Sequence, residues 1–231
     1  MVAERLAAIE ARIAAAATRS GRDRDDVMLL VVSKGRTDDE VRSVYRAGQR
    51  DFGENRAAGL TERLRSGLPD DIRWHFVGTL QRRKVRLVAP LVVLLHSLDR
   101  VELARAWAGQ EIAPPVLLQV NVGREPQKHG FDPDAVLDAA DQIQGLGLAV
   151  EGLMTIPPRP ETSEDSRRWF DVLAALGQRL RERHPAAVQL SMGMSDDFET
   201  GVEAGATIVR VGRAIFEPAG AGEPGLDDAP R

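Results

Sequence analysis

The chain has 231 residues, 43% hydrophobic and 29% charged, with 21 glycines and no cysteine, which describes one globular domain or two very small ones whose core needs neither metal nor disulfide. The missing cysteines exclude disulfides, thiolate catalysis, iron–sulfur clusters and cysteine-ligated zinc, and they fit a reducing compartment. A net charge of −4, with both signs spread along the chain, supplies no field that would gather nucleic acid.

Charges at Glu4, Arg5, Glu10 and Arg12 interrupt the N-terminus, so it lacks the apolar centre of a signal peptide. The longest apolar stretch, Leu87 to Leu95, is broken by Pro90 and falls far short of a membrane span. A cytoplasmic, membrane-free protein is expected. Val2, Leu6, Ile9 and Ile13 recur at helical spacing and predict an amphipathic helix before any strand. MLLVVSK (28–34) is a first strand ending in a lysine, and Thr37 with Glu40 forms a capping box for the helix that follows. RDFGEN, RWHFVG, LVVLLHS, PVLLQVNV, AVEGLMTI, AVQLSMG and ATIVRVG continue as strands. The helices between them are expected near 38–48, 56–66, 80–89, 99–110, 132–144, 161–183 and 195–204. The Pro-rich segment 156–165 reads as a βα loop.

Eight strands alternating with helices in this length predict an α/β chain folded as a single (β/α)₈ TIM barrel over residues 1–217, with a flexible tail at 218–231. The eighth helix is missing, and the extra N-terminal helix is expected to cover its place. An open doubly wound sheet is the weaker alternative, since no G-x-G-x-x-G follows the first strand.

Barrels of this kind carry chemistry at the C-terminal ends of their strands. Lys34 stands at the first strand end, where a partly desolvated amine could attack an aldehyde; the alternative is a lysine with a solvated head. Asn55, after the second strand, is either a helix cap or a ligand contact. His75 lies on the opposite strand face from Trp74 and Phe76, as a packing residue or an acid/base. Ser195 opens a helix after the seventh strand, and Gly212 with Arg213 follows the eighth, where barrels often bind phosphate. Arg210, inside the apolar VRV run, needs a buried partner, whether a carboxylate or a ligand. The basic cluster Arg82, Arg83, Lys84 and Arg86 reads as a solvated helix face. An amine, a phosphate cradle and an arginine suit a phosphorylated aldehyde; no metal-ligand spacing, G-x-S-x-G or P-loop is present.

VVSKGR, DFGEN, WHFVGTLQRRK, HSLDR, LLQVNVGREPQKHGF, EGLMTIPP and LSMGMSDDFETGVEAGATIVRVGRAIF, in this order, resemble the pyridoxal phosphate homeostasis proteins, a small family related to the N-terminal barrel of alanine racemase. The resemblance implies that Lys34 forms a Schiff base with pyridoxal 5′-phosphate. It also implies that Arg210 faces the pyridine nitrogen, with Ser195, Gly212 and Arg213 around the phosphate; Asn55 and His75 complete the candidate contacts. Arg213 stands where the family usually has threonine, and Arg56-Ala57-Ala58 replaces its usual aromatic residue and glutamine after FGEN. The implied role is a carrier that hands the cofactor to acceptor enzymes without robust catalysis of its own, and a monomer is expected because no dimerising domain is visible in the sequence. The runner-up is a small racemase or a Schiff-base aldolase, and a third reading is a cofactor-free binding scaffold. A chain ending at 231 leaves no room for the second domain of a racemase, and the one tyrosine, Tyr45, falls in a barrel helix.

Overall fold

The computed structural model describes residues 2–158 and 163–217; the tail expected at 218–231 and positions 159–162 of the Pro-rich loop lie outside them. Eight strands, β1 (Met28–Val32), β2 (Asp51–Glu54), β3 (Arg73–Phe76), β4 (Leu94–Leu98), β5 (Val116–Gln119), β6 (Val150–Met154), β7 (Gln189–Ser191) and β8 (Ile208–Val211), form a closed barrel in chain order. Every pairing is parallel, and β8 closes on β1 through Leu30 opposite Arg210. The barrel expectation is borne out.

Alternation along each strand divides the side chains between two cores. Leu29 and Val31 of β1, Phe52, Trp74, Phe76, Val209 and Val211 face outward into the large core shared with the helices. Leu30, Leu94, Leu117, Met154 and Ile208 face inward, with Met28 and Val77 packed against them. Both faces of these strands carry apolar residues because both are covered, as in parallel sheets generally.

Helices α2 (Asp38–Arg46), α3 (Ala57–Arg65), α5 (Val101–Ala108), α6 (Val136–Gln144), α7 (Ser163–Arg183) and α8 (Phe198–Glu203) occupy the expected intervals. The Thr37 capping box forms, with Thr37 N–H donating to Glu40 Oε2 at 2.7 Å and Glu40 N–H to Thr37 Oγ1 at 3.3 Å. The helix expected at 80–89 is broken. A 3₁₀ turn, Arg82–Lys84, leads into the single turn α4 (Val85–Val88) and then a second 3₁₀ turn, Ala89–Leu91. Pro90 has no N–H to continue the helical ladder. Arg82, Arg83 and Arg86 are exposed, as expected of a solvated face. Among the described residues no helix is long and apolar enough to cross a membrane.

The eighth strand is followed by a single turn, α9 (Arg213–Phe216), and α1 (Val2–Arg19) packs beside α8 and α9 in place of a longer helix. Its apolar stripe, Leu6, Ile9, Ile13, Ala16 and Ala17, is buried. Arginines fasten it at both ends: Arg5 Nε donates to the Ile215 carbonyl at 2.7 Å, Arg12 pairs with Glu199 at 2.7 Å, and Arg19 with Glu203 at 2.7 Å. The stripe, more than these partly exposed ion pairs, holds the helix. Ile13→Ala is therefore expected to lower stability by about 2–5 kcal/mol through a cavity at fully buried Ile13, measured as the shift in urea unfolding; a loss under about 0.5 kcal/mol, the scale of a surface substitution, would show that α1 does not close the barrel.

Candidate functional site

Lys34 lies in the turn after β1, and continuing the alternation of Met28, Leu30 and Val32 carries it to the barrel-mouth side. It is exposed, not partly desolvated as expected, because Lys34-Gly35 forms a tight turn with Gly35 at φ +70°. The loop is fastened from behind. Buried Ser33 donates through Oγ to Glu54 Oε1 at 3.0 Å, and Arg63 of α3 donates to the Ser33 carbonyl at 3.1 Å while pairing with Glu54 and Asp38. Sequence reasoning missed Arg63. Its signal is an arginine continuing the Ala57, Leu60 stripe, a position where a charge is buried only with partners.

Asn55 does not cap α3. The N-cap position is Arg56, with no side-chain bond, and Asn55 Oδ1 is buried with no hydrogen-bond partner among the described residues. A buried acceptor left unpaired is a destabilising feature, so it points to a ligand donor. Gly78 packs on the Asn55 backbone, where a Cβ would come within 2.1 Å of its carbonyl oxygen.

After β7, Gly193 takes φ +91°, and buried Asp197 accepts from the Met194 N–H and from Ser166 Oγ, each at 2.7 Å. This holds Ser195 against the start of α9: the Gly212 and Ala214 N–H groups donate to its Oγ at a long 3.4 Å. A Cβ on Gly212 would sit 2.9 Å from the Val32 carbonyl, so only glycine lets the β8 end lie this close to β1. Two backbone donors and a hydroxyl thus converge as a phosphate cradle would require. Arg213 is exposed and ion-paired with Asp196.

Arg210 is 5% exposed. Its Nη1 donates to Ser191 Oγ and its Nη2 to the Thr155 carbonyl, both at 2.7 Å, and no carboxylate pairs with it among the described residues. The partner anticipated for this arginine is therefore two neutral oxygens. Burial pulls the guanidinium down to about 10, with Asp197 opposing, so it stays charged at neutral pH. His75 lies inside the barrel on the face opposite Trp74 and Phe76, but both ring nitrogens are engaged: Nδ1 with His96 Nε2 at 3.0 Å, Nε2 with Asp51 Oδ1 at 3.3 Å. It is held below the mouth. Burial raises the Asp51 carboxyl, yet hydrogen bonds from His75 and Arg73 overcome that and hold it at about 2. Burial, with the charge of Arg210 acting the same way, keeps His96 well below the ordinary histidine value.

The sequence pattern of the alanine racemase N-terminal domain matches residues 5–219. A pyridoxal phosphate homeostasis protein of Aquifex aeolicus is 41% identical over 220 residues, covering 92% of this chain and 96% of that protein. The chain belongs to the pyridoxal phosphate homeostasis protein family. Its fold agrees: PipY of Synechococcus elongatus, solved with PLP bound, superposes with a TM-score of 0.80 at 32% identity over 94% of this chain and 100% of that one. Alanine racemase from Corynebacterium glutamicum, 15% identical with a TM-score of 0.69, shares the barrel and is spanned to 64% of its length.

In this family member, Lys34, Ser195, Gly212 and Arg213 stand on the β1, β7 and β8 ends of one mouth, Asn55 joins from β2, and Arg210 lies one inward position below Gly212. A groove of about 390 Å³ lined by Gly35, Arg36, Glu54, Arg56 and Arg63 adjoins the Lys34 loop. A larger one, about 630 Å³, is lined by Arg82, Arg86 and Arg105 on the helical layer and by no strand residue; the strand-end geometry, not groove size, marks the site.

The low His96 value sets a pH dependence. Below about 6.5 the unfolded chain binds a proton at this histidine that the folded chain refuses, so its contribution is complete above 6.5 and lost as pH falls, at up to about 1.4 kcal/mol per pH unit. Urea unfolding between pH 5 and 7 is expected to show this slope and His96→Gln to flatten it. An equal slope in the variant would place the titration elsewhere.

Proposed function

We propose that this chain binds pyridoxal 5′-phosphate at the C-terminal mouth of its barrel, attached through Lys34, and serves to hold the cofactor and pass it to acceptor proteins. The observation that carries the reading is the convergence at one mouth of an amine, the Ser195, Gly212 and Ala214 donors and, among the described residues, a buried Asn55 Oδ1 without a partner and a buried arginine without a carboxylate. The PLP-bound PipY structure and the names of the relatives support the choice of ligand.

The chain's lysines are Lys34, Lys84 and Lys128. Lys128 donates to the Pro157 carbonyl at 2.9 Å and pairs with Glu125, and Lys84 belongs to the outer turn before α4, which leaves Lys34 as the amine at a strand end. Pyridoxal 5′-phosphate would supply an electrophilic aldehyde, a dianionic phosphate and a ring nitrogen. Ser195 with the Gly212 and Ala214 N–H groups would take the phosphate, and Asn55 Oδ1 would accept from a hydroxyl. Arg213, where the family usually has threonine, would add charge near the phosphate while shared with Asp196. Arg210 would meet the ring nitrogen with a donor that keeps its own proton, so the ring would stay a weaker electron sink than one paired with a carboxylic acid.

That electronic choice favours holding over catalysis. A racemase also needs a second acid/base opposite the lysine, and Tyr45, the one tyrosine, lies on α2 with its hydroxyl donating to Asp71 at 2.7 Å.

Purified protein mixed with pyridoxal 5′-phosphate is expected to develop a visible absorbance band that borohydride removes, leaving the cofactor mass on the Lys34 peptide. Lys34→Ala is expected to abolish the band, and Arg210→Glu to shift it or weaken retention by roughly tenfold or more, the loss of a charge-assisted contact. A wild type that stays colourless with excess cofactor would overturn the proposal. Racemisation of alanine at ordinary enzyme rates, about 1–1000 per second, would put the enzyme reading ahead.

A further inference from the structure

Below Arg210 the barrel interior holds a line of polar side chains running toward its N-terminal end. Ser191 of β7 accepts from Arg210 Nη1 at 2.7 Å and lies 2.9 Å from His96 Nδ1 of β4. His96 Nε2 lies 3.0 Å from His75 Nδ1 of β3, and His75 Nε2 lies 3.3 Å from Asp51 Oδ1 of β2. Arg73 closes the line, donating through Nε to Asp51 Oδ1 at 2.7 Å from a side chain 55% exposed. Five strands thus contribute to one path between solvent and a buried guanidinium.

Packing does not ask for this. Leu30, Leu94, Leu117, Met154 and Ile208 pack together as an apolar cluster in the same interior, and apolar side chains of similar volume are commonly as stabilising as a buried polar network. A network in which every group is satisfied instead specifies one arrangement.

The path has a direction. Asp51 is ionised at neutral pH, so it accepts and His75 Nε2 must carry a proton. His96 is neutral, so it has one donor and one acceptor nitrogen. With His75 also neutral, its Nδ1 accepts from His96 Nε2–H, and His96 Nδ1 accepts from the Ser191 hydroxyl, whose oxygen accepts from Arg210. Every donor between Ser191 and Asp51 then has an acceptor. The other pattern charges His75, points His96 Nδ1–H at Ser191 and leaves the Ser191 proton with no acceptor among the described contacts, while adding a cation to an interior that already holds Arg210. Glu151 of β6 is a further acidic group near His75, and burial raises its carboxyl.

We infer that Asp51, His75, His96 and Ser191 are positioning residues for Arg210, a one-way hydrogen-bond chain in which the Asp51 carboxylate sets both imidazoles as Nε2–H tautomers and thereby orients the Ser191 hydroxyl. With Nη1 fixed by Ser191 and Nη2 by the Thr155 carbonyl, the guanidinium plane has one orientation. Its effect on the cofactor rests on the proposed function above; the direction of the chain does not.

Two measurements separate these. In the cofactor-free protein, long-range ¹H–¹⁵N NMR of the imidazoles is expected to show His75 and His96 as neutral Nε2–H tautomers, and Asp51→Asn, which can donate as well as accept, to give mixed tautomers at both rings. A His96 Nδ1–H signal, or an unchanged pattern in Asp51→Asn, would overturn the chain even if the cofactor binds. In protein loaded with pyridoxal 5′-phosphate, Ser191→Ala is expected to shift the visible band and raise the dissociation constant roughly tenfold, Ser191→Thr to restore both, and Asp51→Asn to move both in the same direction by less. A normal wild-type band with both quantities unchanged in Ser191→Ala and Asp51→Asn would overturn the positioning role and leave the proposed function standing. A wild type with no band would remove the proposed function while the NMR result still decides the chain.

Discussion

A buried guanidinium that no carboxylate pairs with among the described residues is the constraint around which this interior is arranged. Desolvating a charge is strongly unfavourable unless its protons find partners, and the partners Arg210 has are two neutral oxygens, Ser191 Oγ and the Thr155 carbonyl. Thr155 is itself fastened, donating through Oγ1 to the Val120 carbonyl at 2.8 Å. Neutral acceptors leave the positive charge uncancelled. A carboxylate in their place would neutralise it and reduce what the arginine offers to an electron-rich ring nitrogen.

The mouth above Arg210 is built the same way, by fastening loops from behind while leaving groups free in front. Arg63 ties the Lys34 loop to α3, and Asp197 ties the Ser195 loop to α7 through Ser166. Gly212 removes the side chain that would separate β8 from Val32. What faces the opening is an exposed amine, an unpaired amide oxygen and loosely bonded N–H groups, the complement of a phosphorylated aldehyde.

The architecture was legible because eight strand segments, most of them rich in apolar residues, alternate with helical ones, and both faces of a parallel barrel are covered. The broken α4 was foreseeable from Pro90, whose effect depends on where in the turn it falls. Site residues were legible where they ended strands. Lys34 stood out as a charge after five apolar residues, although its exposure depends on the turn at Gly35. Arg210 announced its need for partners, but their identity could not be read, since a serine from β7 and a backbone carbonyl after β6 are brought to it only by closure. The same holds for Asp51 and His96. They sit on separate strands, β2 and β4, and only the barrel puts them in line with His75. The one hint was their shared inward parity with Gly53 and Leu94. His75, read as a candidate contact at a strand end, takes its meaning from these neighbours.

The central claim is that Lys34 and Arg210 meet the same small molecule. A crystal structure of the protein grown with pyridoxal 5′-phosphate tests it most directly. The account requires density continuous from Lys34 Nζ, with phosphate at Ser195, Gly212 and Ala214 and the ring nitrogen against the Arg210 guanidinium. Cofactor attached to Lys84 or Lys128, or lodged in the arginine groove outside the barrel, would contradict it.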